Sequence, residues 1–204
     1  MAGSDVKAVF ITADTNAVDA ASVAAAARPN TDFTIDGTDT DGGVATFAAG
    51  RIITCTTAGT GDNGKTVTLT GTDVNGDAQT EVITLTGSAT AHAGTKFFKT
   101  ITAAAASAQP AANVSIGMAA DAADVIFAGR TRLKGAFIVN SGTAGTLDFL
   151  TTSPTGTSAM KVGTVASATV TRDVNIPEEG ILFSGGVYIQ YTIATFTTIT
   201  AFHA

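Results

Sequence analysis

Between Thr66 and Gly87 threonine alternates with aliphatic residues on both sides of Asn75-Gly76. Period-two alternation places Val67 and Leu69 on one face of a strand, Ile83 and Leu85 on one face of the returning strand, and threonines opposite. Asn75-Gly76 supplies the positive φ angles of a tight hairpin. Short apolar runs broken by glycine and aspartate continue along the chain and predict strands near 44–48, 50–57, 66–72, 79–87, 96–104, 113–117 and 124–128. After Gly129-Arg130 a second series falls near 134–140, 145–151, 158–165, 168–176, 180–184, 186–194 and 196–203. Turn signals separate these at Ser141-Gly142, Pro154-Thr155-Gly156, Pro177 to Gly180 and Gly185-Gly186. Val187, Ile189, Tyr191 and Ile193 share a face of one strand, and Phe196 and Phe202 a face of the last. The expected class is all-β: two antiparallel β-sandwich or barrel-like domains, at 37–128 and 129–204.

Residues 1–36 read differently and are expected to form an amino-terminal arm. Val6 to Ile11 predicts one short strand, and alanine-rich Asp14 to Ala27 one short helix, capped by Asp14 or Thr15 and stopped by Pro29. Only Val18 and Val23 stand out among the alanines, and an isolated helix of this length is marginal in water. The arm is therefore expected to be held by another subunit, with Val6, Val9, Phe10, Ile11, Val18 and Val23 as the partner-contacting residues.

Composition sharpens this reading. Hydrophobic residues make up 45% of the 204, enough for a core, but aromatics are 6% and tryptophan is absent, so each domain gains little alone. Charged residues are 14%, against about 25% in ordinary soluble proteins. Exposed faces are thus expected to be threonine, serine and glycine, which pack readily against neighbours. A net charge of -6 argues against a surface that tracks nucleic-acid phosphates. No run approaches the roughly 18 apolar residues of a membrane span, and the amino terminus lacks the basic start of a secretory signal. A soluble protein assembled in a cytoplasm is expected.

Candidate chemistry is sparse. Gly59-Thr60-Gly61-Asp62-Asn63-Gly64-Lys65-Thr66 spells both G-x-x-x-x-G-K-T and G-x-G-x-x-G, patterns that hold phosphates when a helix starts at the last glycine. Here the alternation of Thr66 to Thr70 marks a strand, so a hairpin loop is expected. Asp36 to Asp41 with Gly37, Gly42 and Gly43 could hold a weak calcium ion, although aspartate and glycine also make plain turns. His92 and His203 have no neighbours at metal-ligand spacing, which leaves a Ser-His-Asp grouping in space open without any local signature. Cys55 reads as a small apolar strand residue. Glu81 shares the parity of Ile83 and Leu85 and is expected to pair with Lys96, Lys99 or Arg51. Neither a cofactor nor a metal is expected, and an enzyme ranks last.

Gly71-Thr72-Asp73 with Asn75-Gly76, Thr80-Glu81-Val82-Ile83 and Lys96 to Thr102 together resemble a module of tailed-bacteriophage virion structural proteins. Gly135 to Gly142, Ile176 to Ile181 and Gly186-Val187-Tyr188 resemble the carboxy-terminal β domain of similar particle proteins. The resemblance covers about three quarters of the chain, implies a virion component and carries over no catalytic residue. The leading expectation is a non-enzymatic structural protein that decorates or cements the capsid, with the major capsid protein and further copies of itself as partners and no direct nucleic-acid or membrane contact. A tail, adaptor or baseplate-associated subunit is the alternative. A carbohydrate-binding β-sandwich, using Tyr188 and Tyr191, is the alternative of another class.

Overall fold

A computed structural model of the chain describes residues 5–87 and 89–204. Among these, every regular element is a strand and every pairing with a defined register is antiparallel. In chain order the first eight are β1 (Lys7–Thr12), β2 (Asp19–Ala27), β3 (Thr40–Asp41), β4 (Val44–Thr57), β5 (Thr66–Thr72), β6 (Ala78–Thr84), β7 (Ala91–Ala106) and β8 (Val114–Phe127). There follow β9 (Thr131–Asn140), β10 (Gly145–Thr151), β11 (Thr157–Thr164), β12 (Thr171–Asn175), β13 (Ile181–Phe183), β14 (Val187–Thr192) and β15 (Phe196–His203). The chain clusters into two compact units, Ala17–Ala120 and Met1–Asn16 with Asp121–Ala204. Residues of the expected arm are divided between them, since β1 pairs with β15 and β2 with β8.

In Ala17–Ala120 the strands run β8-β4-β7-β5-β6, with β2 on β8 and β3 on β4. The short helix expected over Asp14 to Ala27 is not there; its second half is β2. Alanine favours a helix in isolation, but here small side chains serve close approach. A Cβ on Gly117 would stand 1.9 Å from the Asp19 carbonyl oxygen, and one on Gly37 2.3 Å from that of Ala21. Val23 and Ala24 then enter a core with Phe47, Ile53, Leu69, Leu85, Phe98, Ile101 and Ile116. Each large member contributes about 1.5–3 kcal/mol by leaving water, more than any intrinsic helix preference of the alanines.

The hairpin forms, with Val67 opposite Ile83 and Leu69 opposite Glu81. Its turn is longer than a two-residue loop. The Gly76 N–H donates to the Asp73 carbonyl, Gly76 alone takes a positive φ of 87°, and the Asp73 carboxylate accepts the N–H groups of Asn75 and Asp77. This is a turn closed by a glycine bulge and braced by an aspartate. Segments expected as two strands each, 44–48 with 50–57 and 113–117 with 124–128, are continuous in β4 and β8.

In the second unit one sheet runs β1-β15-β9-β12, with β13 also on β9; β11, β10, β14 and the Asp121–Phe127 part of β8 pair in that order. Tyr191 of β14 meets Phe196 of β15 edge to face, with ring centroids 4.5 Å apart. The Tyr191 hydroxyl accepts the Asp14 N–H and donates to Asp124, pinning the chain just beyond β1. Phe196 and Phe202 lie on opposite faces, contrary to the alternation. A bulge between Phe196 and Thr198 shifts the phase against β9 and turns Phe196 inward.

Candidate interaction surface

The residues that carry chemical motifs brace the fold. The 59–66 loop joins β4 to β5, and Lys65 precedes a strand rather than a helix. Its ammonium stands 3.0 Å from Asp62 Oδ1 and donates to the Gln109 carbonyl at 2.8 Å. Asp62 is fully buried and Oδ1 also accepts the Ala111 N–H. Burial works against its charge, but the Ala111 N–H and Lys65 outweigh that and hold its carboxyl below the usual range. Cβ atoms on Gly59 and Gly61 would meet those of Ala112 and Ala111 at 2.7 and 2.6 Å. The glycines therefore serve loop-to-loop packing.

Glu81 forms no ion pair with Lys96, Lys99 or Arg51 among its described contacts. Its carboxylate accepts the N–H groups of Thr95 and Lys96 and the Thr95 hydroxyl, over Gly94, while Lys96 reaches Thr80 O, Lys99 reaches Ala48 O and Arg51 reaches Ala119 O. Cys55 is in the core, opposite His92 across β4 and β7. Burial, with the Glu81 charge, pushes its thiol up to about 12, so it stays protonated at neutral pH. His92 Nε2 is buried without a hydrogen-bond partner. In the 36–41 loop Asp36 accepts the Ala25 N–H, and the Gly37 and Asp39 N–H groups donate to Val23 and Ser22 of β2. Among the described residues no three His, Cys, Asp or Glu gather around one metal position. Tyr188 and Tyr191 are buried and offer no ring face to a sugar.

Two depressions are lined by polar groups. One of about 380 Å³ lies among Lys7, Phe127, Arg130, Thr131 and His203. The His203 ring stacks at 5.0 Å from Phe127, its Nδ1 is 3.2 Å from the Thr131 hydroxyl, and burial together with Lys7 lowers its pKa. The other, about 190 Å³, lies over Asp121, Asp148, Lys161 and Gln190, where Lys161 already pairs with Asp148 at 3.0 Å and Thr192 with Asp121.

The surface with unmet capacity is β1 and the sheet face beside it. Of the six residues expected to touch a partner, Phe10 is 66% exposed, Val6 and Val18 are exposed, Val9 and Ile11 are half-buried, and Val23 lies wholly inside its own unit's core. β1 pairs with β15 without a bulge, and the Ala13 N–H donates to the Thr197 carbonyl directly opposite. Hydrogen-bonded and non-hydrogen-bonded pairs alternate in such a ladder. Lys7, Val9 and Ile11 therefore bond to β15, and the backbone groups of Ala8, Phe10 and Thr12 face outward.

On the exposed side the cross-strand row reads Phe10, Thr200, Phe137, Asp173. The next row is Ala8, Phe202, Gly135, Asn175, with the Phe202 ring 4.0 Å from where a Gly135 Cβ would be. Neither Phe137, 41% exposed, nor Phe202 was among the residues expected to touch a partner. The parity of Phe137 against Ala136 and Ile138 carries that signal; for Phe202 the hidden bulge erases it. Comparison of the chain with models of protein families, with curated proteins and with solved structures finds no match.

Proposed function

We propose that this protein is a non-enzymatic structural subunit of a tailed-bacteriophage virion, decorating or cementing the capsid through subunit contacts. The observation that carries the proposal is the open edge of β1 next to the exposed Phe10 and Phe137 row, a surface suited to another protein rather than to a small substrate. The motif resemblance of the hairpin and of Gly135 to Gly142 supports the particle assignment, as does a surface low in charge. In this reading the two sheets joined through Tyr191 and Phe196 form a β-sandwich, and Lys65, Asp62, Glu81 and Cys55 are structural. Quantitative mass spectrometry of purified particles tests it. Hundreds of copies per particle are expected for a shell component, about six or twelve move the protein to the tail, and absence from particles refutes the proposal.

A further inference from the structure

We infer that β1 is a homotypic docking edge, pairing antiparallel with β1 of a second copy of this chain; this deepens the structural-subunit reading and rests on it. The outward N–H and C=O groups of Ala8, Phe10 and Thr12 form an alternating ladder that only another extended segment satisfies in full. Sheets protect their edges with charge, bulges or brevity. The other outermost strands here do so: β6 carries Glu81, β12 carries Arg172 and Asp173, β11 is bulged near Leu150, β2 has two register shifts, and β3 and β13 are two and three residues long. In β1 the outward-facing positions are Ala8, Phe10 and Thr12, all uncharged, and the strand has neither bulge nor proline.

The self-complementary register of the outward ladder selects a second copy as the occupant, and charge admits it. Two chains of net charge -6 repel wherever carboxylates face one another, and β1 has none. With Phe10 opposite Phe10 of the second copy, Ala8 meets Thr12 and each such pair exchanges both hydrogen bonds. Lys7 then lies opposite Ala13 of the other chain, away from its own counterpart. The row Phe137, Thr200, Phe10 continues across the two-fold axis into the same row reversed, joining two exposed apolar stripes into one. The contact is isologous and closes on itself.

Amide exchange by NMR at increasing protein concentration tests this residue by residue. The amides of Ala8, Phe10 and Thr12 are expected to slow by roughly tenfold or more, while those of Lys7, Val9 and Ile11, already bonded to β15, stay constant. Sedimentation should show a dimer for the native chain. Ala8→Pro, which removes an outward N–H and leaves the β15 ladder intact, and Phe10→Lys should both sediment as monomers with melting temperatures near the native value. Outward amides that exchange fast at every concentration, or a dimer that survives both substitutions, overturns the inference. Particle incorporation is read separately: pairing through β1 by a protein absent from particles sinks the virion reading, and particle-bound copies with fast outward amides sink the pairing alone.

Discussion

Asp62→Ala separates a structural loop from a phosphate loop at 59–66. In the native chain this buried carboxylate takes the Ala111 N–H at 2.5 Å and the Lys65 ammonium at 3.0 Å. Truncation leaves the Ala111 N–H without that acceptor, which costs about 1–3 kcal/mol. It also frees Lys65 from a pair whose cation is 26% exposed, worth at most about 1 kcal/mol after solvent screening. The sum is about 1–4 kcal/mol, or a melting-temperature loss of roughly 2–16 °C for a chain of this size. Lys65→Ala loses the second part and the hydrogen bond to the Gln109 carbonyl, and keeps the Ala111 contact. A phosphate loop predicts the opposite ranking, with Lys65 essential for nucleotide binding and Asp62 dispensable.

The same pair of proteins reports on pH. Because the folded carboxyl of Asp62 is held below its ordinary value, its contribution is complete above the unfolded carboxylate pKa of about 3.9 and is lost as pH falls through the folded value. Thermal melts of the native and Asp62→Ala proteins, followed by circular dichroism from pH 7 to pH 2, should therefore converge at the acid end. A larger loss for Lys65→Ala than for Asp62→Ala, or a gap that does not narrow in acid, would refute the reasoning.

Other expectations follow from single contacts. Gly117→Ala drives a methyl to 1.9 Å from the Asp19 carbonyl and should destabilise by about 1–3 kcal/mol in urea titrations; a neutral result would mean that β2 does not cross there. Cys55, buried and with its thiol pushed up to about 12, should resist thiol reagents in the native protein and react once unfolded; fast native labelling would contradict its place in the core. Because the folded imidazole of His203 has a lowered pKa, the unfolded chain binds the extra proton first. Stability should therefore decline as pH falls below about 6.5 until the folded ring also titrates, and His203→Gln should flatten that part of the profile in calorimetry.

Alternation reported most of the strands because half-buried antiparallel sheets repeat every two residues, and Val67, Leu69, Ile83 and Leu85 are all inside as their phase requires. Three features were out of reach for the same reason: they depend on a neighbour distant in sequence. β2 is a strand because Gly117 and Gly37 admit its backbone, and local alanine content points the other way. The inward turn of Phe196 follows from a bulge against β9 that no turn residue announces. Glu81 was legible as inward-facing, but its partners are backbone N–H groups of Thr95 and Lys96, and backbone donors have no signature in residue identity. Of the candidate surface, Val6 and Phe10 were legible as apolar residues on a short strand. The Phe137 row needed the sheet order.

How the chain treats a gap in one of its interrupted ladders shows why β1 stands apart. Along β7 the pairing to β4 breaks between Ile52 and Thr54, which would leave the backbone of Gly94 to Lys96 short of partners beside Phe97. Side chains from β6 cover that gap: Glu81 takes the N–H groups of Thr95 and Lys96, and Gln79 donates to the Phe97 carbonyl. An unmade backbone hydrogen bond in a sheet costs about as much as a buried orphan, so such cover is expected where the edge is meant to stay closed. Among the described residues no side chain is placed to do this for Ala8, Phe10 and Thr12. Water can satisfy those groups in the free chain, but an unbulged strand whose outward-facing positions are uncharged, beside an exposed phenylalanine row, then remains competent for a second strand. In a protein that covers the gap along β7 with two polar side chains, an edge left in that condition is what the proposed pairing of β1 would explain.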